Sequence, residues 1–137
     1  MLLTRAQQVA QSDDDIAVAL AEAQLAVGDS NLALQTLTDV VSRSPGRLDA
    51  QVLMGRAELL SDRTEPAQRR AKAVLDASPE QAGALYLMAL LQLGHNDKAS
   101  AIGSLERSLA SDPTLVAART QLAELLAERQ DWPRIVE

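Results

Sequence analysis

The sequence predicts an all-α repeat protein, and three observations carry that expectation. Pro45, Pro79 and Pro113 stand 34 residues apart, each closing a similar phrase such as Lys72-Ala73-Val74-Leu75-Asp76-Ala77-Ser78-Pro79. Small residues recur in the same register: Ala21, Gly55, Ala89 and Ala123 at one place, then Ala33, Ala67 and Ala101 twelve residues later, with Ile135 ending that second series. The composition, rich in Ala, Leu, Gln and Arg, favours helix. A fixed period of this size marks units that bury their apolar faces only against neighbours. Small side chains twelve apart, on two helices joined by a turn, let two backbones approach closely.

Counting each unit so that its proline comes thirty-second gives 14–47, 48–81 and 82–115, with a partial unit at 116–137. Ahead of them, 1–12 reads as the end of a preceding unit's second helix, because Leu3, Ala6 and Val9 share one helical face. Asp13, Asp14 and Asp15 then start the next helix by capping it, since a carboxylate accepts N–H bonds there and suits the positive end. Three aspartates also suggest a metal site, but adjacent residues point in different directions on a helix. Capping is the favoured reading.

The first unit's leading helix runs about 16–27, with Ile16, Leu20 and Ala23 on one face, and Gly28-Asp29-Ser30 ends it. Its second helix runs about 32–42, packing Ala33, Leu34, Leu37, Val40 and Val41 before Ser44-Pro45-Gly46 breaks the chain. The second unit repeats this at 48–60 and 66–77, where Pro66 suits a first helical turn. The third gives 81–93 and 98–110. Gly94 sits two residues early for a turn glycine, so a longer, looser turn is expected there, with His95 exposed in it. The fourth supplies 114–129, a turn at Gln130-Asp131-Trp132, and Pro133 opening a second helix; Trp132 is expected to pack.

These residues resemble the tetratricopeptide repeat, whose pattern sets small residues at the eighth and twentieth positions and proline at the thirty-second. The likeness covers about 120 of the 137 residues. It implies a right-handed α-solenoid of antiparallel helix pairs. The family's aromatic fourth and eleventh positions are absent here, being Ala17, Gln51, Leu85, Arg119 and Gln24, Glu58, Gln92, Leu126. With no Phe, one Tyr and one Trp, the helix interfaces must be built from Ala, Leu, Val and Met. Each such contact buries less area than a ring would, so modest stability is expected.

Composition narrows the function. A net charge of −6 argues against non-specific nucleic-acid binding, which needs a dominant positive field. The absence of cysteine excludes disulfides and thiolate metal sites. No apolar run approaches the ~18 residues of a membrane span, so direct membrane insertion is not expected. One histidine, no glycine-rich phosphate loop and no nucleophile beside a base leave catalysis without a constellation. Neither a cofactor nor a metal is implied. The ratio of 11 Arg to 2 Lys, with abundant Ala, hints at a GC-rich bacterial source. Both ends cut through a unit, so the chain reads as excised from a longer one whose apolar ends would associate end to end.

By the resemblance, first helices line a concave groove, and its lining falls at set positions of each unit. These are Asp15, Val18, Ala19, Glu22 and Leu25; Asp49, Val52, Leu53, Arg56, Leu59 and Leu60; Gly83, Tyr86, Leu87, Leu90 and Leu93; and Thr120, Gln121, Glu124, Ala127 and Glu128. The expected contact set for a partner protein or peptide is Val18, Glu22, Asp49, Val52, Leu53, Arg56, Tyr86, Leu87, Leu90, Gln121 and Glu124. Some of the leucines could equally serve packing between helix pairs. Chaperone-binding members of the family hold a terminal carboxylate with Lys and Asn; Val18 and Glu22 stand there instead, so no such clamp is expected. Arg63, Arg69, Arg70 and Lys72 form a possible basic patch on the convex side, or simply a solvated face. The expected role is a protein–protein interaction scaffold, leaning to a bacterial envelope machine for exopolysaccharide export, pilus assembly or cytochrome c maturation. A cytosolic regulatory module and a spacer without ligand are the alternatives.

Overall fold

The computed structural model describes residues 5–136, and the side-chain surroundings of Arg5, Val9 and residues 12–129. Leu3 lies outside that range, as do the surroundings of Ala6, Trp132 and Ile135. Among the described residues there are seven helices: α1 (Arg5–Ala26), α2 (Ser30–Arg43), α3 (Leu48–Leu60), α4 (Thr64–Ala77), α5 (Ala82–Gly94), α6 (Lys98–Ser111) and α7 (Val116–Val136). The chain divides into two compact units, Met1–Arg70 and Ala71–Glu137.

One turn geometry, repeated three times, joins the helices into pairs. Gly28, Asp62 and Asn96, spaced 34 apart, all take a left-handed backbone with φ of 83°, 61° and 61°. At each, two N–H groups return to the helix just ended. Gly28 N donates to Leu25 O and Asp29 N to Gln24 O; Asp62 to Leu59 and Arg63 to Glu58; Asn96 to Leu93 and Asp97 to Gln92. This is the Schellman arrangement, which satisfies carbonyls that the helix end leaves open. The next helix starts at once, and Asp29 and Asp97 cap α2 and α6 by accepting from Leu32 N and Ser100 N, both at 3.2 Å.

The looser turn expected at Gly94 is therefore not found. Gly94 is the last residue of α5, and Asn96 supplies the left-handed position because its short polar side chain tolerates it. The fourth turn is absent altogether: α7 is one helix from Val116 to Val136, where a turn at 130–132 was expected. Gln130 stands at the place of Gly28, Asp62 and Asn96, and glutamine does not share their ease in the left-handed region.

The start of the chain also differs from expectation. α1 is continuous across Asp13, Asp14 and Asp15, so these residues do not cap. Asp14 is instead 5% exposed and faces α2. Helix α1 carries apolar residues on two opposite faces. Val18, Ala21 and Leu25 are buried, while Ile16 and Leu20 are 65% and 50% exposed.

The first unit's core joins Val18, Ala21 and Leu25 of α1, Ala33, Leu37 and Val40 of α2, and Ala50, Leu53 and Ala57 of α3. The second unit's core joins Ala89 of α5, Ala101, Ile102 and Leu105 of α6, and Ala118 and Leu125 of α7. Ala21 with Ala33, and Ala89 with Ala101, are fully buried within these clusters. Alanines at the crossings leave room for backbones to approach, and Leu37, Leu85, Leu87 and Leu105 are the largest side chains fully buried. Ala123, in the same register, is exposed.

Candidate interaction surface

The expected contact residues separate into two kinds. Val18, Val52, Leu53 and Leu87 are at most 6% exposed and belong to the interior, so they offer a partner no surface. Their burial corrects the expectation for these four. Glu22, Asp49 and Glu124 are exposed, and Arg56, Tyr86, Leu90 and Gln121 are half-buried. Arg56 and Tyr86 already engage neighbouring groups.

In the first unit, Asp49 is committed locally. Arg47 Nε donates to its Oδ1 at 2.9 Å, and the Arg47 guanidinium also reaches Asp15 at 2.6 Å. These contacts hold the Arg47 guanidinium above its ordinary range, Asp49 contributing first. Asp14 accepts from Arg43 and from Ser44 Oγ. The Arg43 hydrogen bond holds the Asp14 carboxyl below the usual carboxylate range, against the opposing effect of burial.

In the second unit, Tyr86 and Leu90 lie one helical turn apart on α5. Tyr86 and Leu93 of α5 pack against the same cluster as Leu122 and Leu126 of α7. Leu87, between Tyr86 and Leu90 in sequence, is fully buried. One side of α5 is thus closed while Tyr86 and Leu90 remain at its edge.

A second set of polar side chains escaped the sequence reading. In each complete helix pair, residues twelve apart bridge the two helices. Thr36 Oγ1 donates to Gln24 Oε1 at 2.9 Å, and Ser104 Oγ to Gln92 Oε1 at 2.8 Å. Between them in the chain, Arg70 binds Glu58 with two bonds of 2.8 and 3.1 Å and also donates to Gln51. These rungs use the eleventh position of each unit, where the resembled family carries an aromatic. The interface is therefore not purely aliphatic, as had been expected. Hydrogen bonds hold places where rings would pack, and each is worth about 1 kcal/mol net. Among the described residues no buried side-chain nitrogen or oxygen lacks a partner. The signal was present in the sequence as polar residues at a constant offset of twelve.

Arg70 is consequently no part of an open basic patch. Its guanidinium turns inward onto Glu58, which is 5% exposed. Arg63 and Arg69 in the first unit and Lys72 in the second are exposed. Glu128, expected in the groove lining, binds Lys98 at 2.9 Å. Those two charges rim a cleft of about 210 Å³ between α6 and α7, floored by Ala99, Ile102 and Leu125 and bordered by Arg129. Its volume suits one inserted side chain rather than a cofactor, whose sites run to about 300–1,000 Å³. His95 is exposed in the turn after α5. Among the described residues no group of His, Asp or Glu could hold a metal ion, and no helix is long and apolar enough to cross a membrane.

No family model matches the sequence, and no curated protein matches it. Solved structures do. The tetratricopeptide-repeat domain of Sgt2 from Aspergillus fumigatus aligns over 90% of this chain and 83% of its own, at a TM-score of 0.68 and 17% identity. MamA from Desulfovibrio magneticus RS-1 aligns over 86% of this chain and 67% of its own, at a TM-score of 0.59 and 21% identity. Another MamA structure gives a TM-score of 0.56 at 17% identity, the match spanning 64% of that chain.

Proposed function

The chain has the tetratricopeptide-repeat fold, an α-solenoid of helix pairs, and on that premise we propose that it is a non-catalytic scaffold that binds a partner protein or peptide. The observation that carries the proposal is the edge of α5. Tyr86 and Leu90 stay half-buried there while Leu87 is sealed. Tyrosine, with an apolar body and a polar tip, is among the side chains most enriched at contact hot spots, and Leu90 adds apolar area beside it. Gln121 and Glu124 of α7 supply polar groups in the same unit, and Glu22 and Arg56 are the corresponding groups of the first unit. The narrow cleft beside Ile102 would accept one further apolar side chain.

Panning a displayed peptide library against the chain, then titrating a selected peptide, tests this reading. Tyr86→Ala should weaken that binding by about 1–4 kcal/mol. A library that yields no binder, or a binder indifferent to Tyr86→Ala and Leu90→Ala, sinks it. Such a result would favour the structural spacer, which the burial of Val18, Val52, Leu53 and Leu87 already supports.

The wider setting we propose is a bacterial envelope secretion or assembly machine, of which exopolysaccharide export is one. Its support is compositional: 11 Arg to 2 Lys with abundant Ala and Leu. Cell fractionation tests it. Recovery in the periplasm supports the setting, and recovery in the cytosol assigns the chain to peptide-binding regulation there.

A further inference from the structure

Helix α1 and Val27, which follows it and still donates to Ala23 O, leave a stripe of large apolar side chains in water. Val9, Ile16, Leu20 and Val27 are 55%, 65%, 50% and 82% exposed. At 3.6 residues per turn they fall on one side of the helix axis, opposite the buried Val18, Ala21 and Leu25. Single exposed apolar residues are ordinary, but an aligned set marks a contact surface.

The spacing of the stripe says what covers it. Val9 and Val27 lie nine residues either side of Val18, and Ile16 and Leu20 lie two either side. We infer that two copies of this chain pair their α1 helices antiparallel, about a two-fold axis level with Val18. Val9 of each copy then meets Val27 of the other, and Ile16 meets Leu20. An isologous contact requires this symmetry of a surface; a foreign helix requires none. The charges agree with the same register. Asp13, which borders the stripe, comes opposite Ala23 and so meets no like charge.

The chain contains no cysteine, so introduced thiols report on this contact alone. Under mild oxidation, a mixture of Val9→Cys and Val27→Cys proteins should form a disulfide between the two different variants. Val9→Cys alone should not cross-link, because its two copies would lie about 27 Å apart along the paired helices, far beyond disulfide reach. Cross-linking of Val9→Cys with itself, or none in the mixture, overturns the register. Sedimentation equilibrium supplies the second arm. The unmodified chain should dimerise reversibly, and Ile16→Glu with Leu20→Glu should weaken dimerisation at least tenfold with helix content unchanged. An unmodified chain that stays monomeric into the millimolar range assigns the stripe to some other occupant and removes the proposal, as does a dimer that survives both substitutions.

Discussion

The two compact units do one job with different chemistry. Within Met1–Arg70 buried ionic links stand beside the neutral rung of Thr36 and Gln24: Asp14 with Arg43, and Glu58 with Arg70. Within Ala71–Glu137 the buried links are neutral. Ser104 donates to Gln92, and Ser108 Oγ donates to the Ala82 carbonyl at 2.7 Å. The ion pairs of that unit, Arg107 with Glu80 and Lys98 with Glu128, sit at the surface. Surface pairs of this kind contribute little, because solvent screens them. The same position can thus be filled by a hydroxyl and an amide or by two full charges. What differs is the penalty for losing one partner.

The largest contrast is expected at the eleventh-position rungs. Arg70→Ala leaves the Glu58 carboxylate buried with no counter-charge and should destabilise the chain by about 3–5 kcal/mol. Urea unfolding measures it, and a loss under 1 kcal/mol would show that water reaches Glu58 unaided. Replacing both partners, as in Glu58→Met with Arg70→Leu, should recover most of that loss, since an apolar pair carries no desolvation cost.

Ser104→Ala, at the equivalent place in the second unit, should cost only about 1 kcal/mol. The Gln92 amide it leaves is neutral. Equal losses for Arg70→Ala and Ser104→Ala would erase the distinction drawn between the units.

The smallest effect is expected at Asp14, whose partner Arg43 has a side chain 52% exposed. The folded state holds the Asp14 carboxyl below its ordinary range. Its contribution is therefore fully present above the unfolded carboxyl's pKa and is lost as pH falls through the depressed folded value. Asp14→Asn should flatten the acid side of the stability profile and leave Ser104→Ala's effect unaltered at every pH. An acid limb unchanged by Asp14→Asn would show that other carboxylates govern it.

Much of the fold was legible because its signals act on the backbone. Prolines at 34-residue intervals fall just past the ends of α2, α4 and α6, where they cannot continue a helix, and alanines at the crossings are required by closeness alone. The turn after α5 was misread because glycine was sought there. The requirement is a residue that tolerates positive φ, and Asn96 and Asp62 meet it as Gly28 does. The break at Asp13–Asp15 was expected because carboxylates favour helix starts, yet Asp14 had a partner 29 residues away in Arg43 that local reasoning cannot see. The contact surface was the least legible. Periodicity shows that α1 has an apolar face at Ile16 and Leu20 and another at Val18, Ala21 and Leu25. Which one is sealed depends on α2 and α3. The same ignorance placed Val52, Leu53 and Leu87 on a surface they do not occupy.

The twelve-residue rungs bear on how such a chain can change over generations. Each is satisfied by two side chains of one helix pair, so a mutation that retunes one leaves the others intact. Threonine with glutamine at 36 and 24, and arginine with glutamate at 70 and 58, show two solutions coexisting in one gene. Tolerance of acid can then drift repeat by repeat, where an interlocked layer of aromatic rings would have to be rebuilt as a whole.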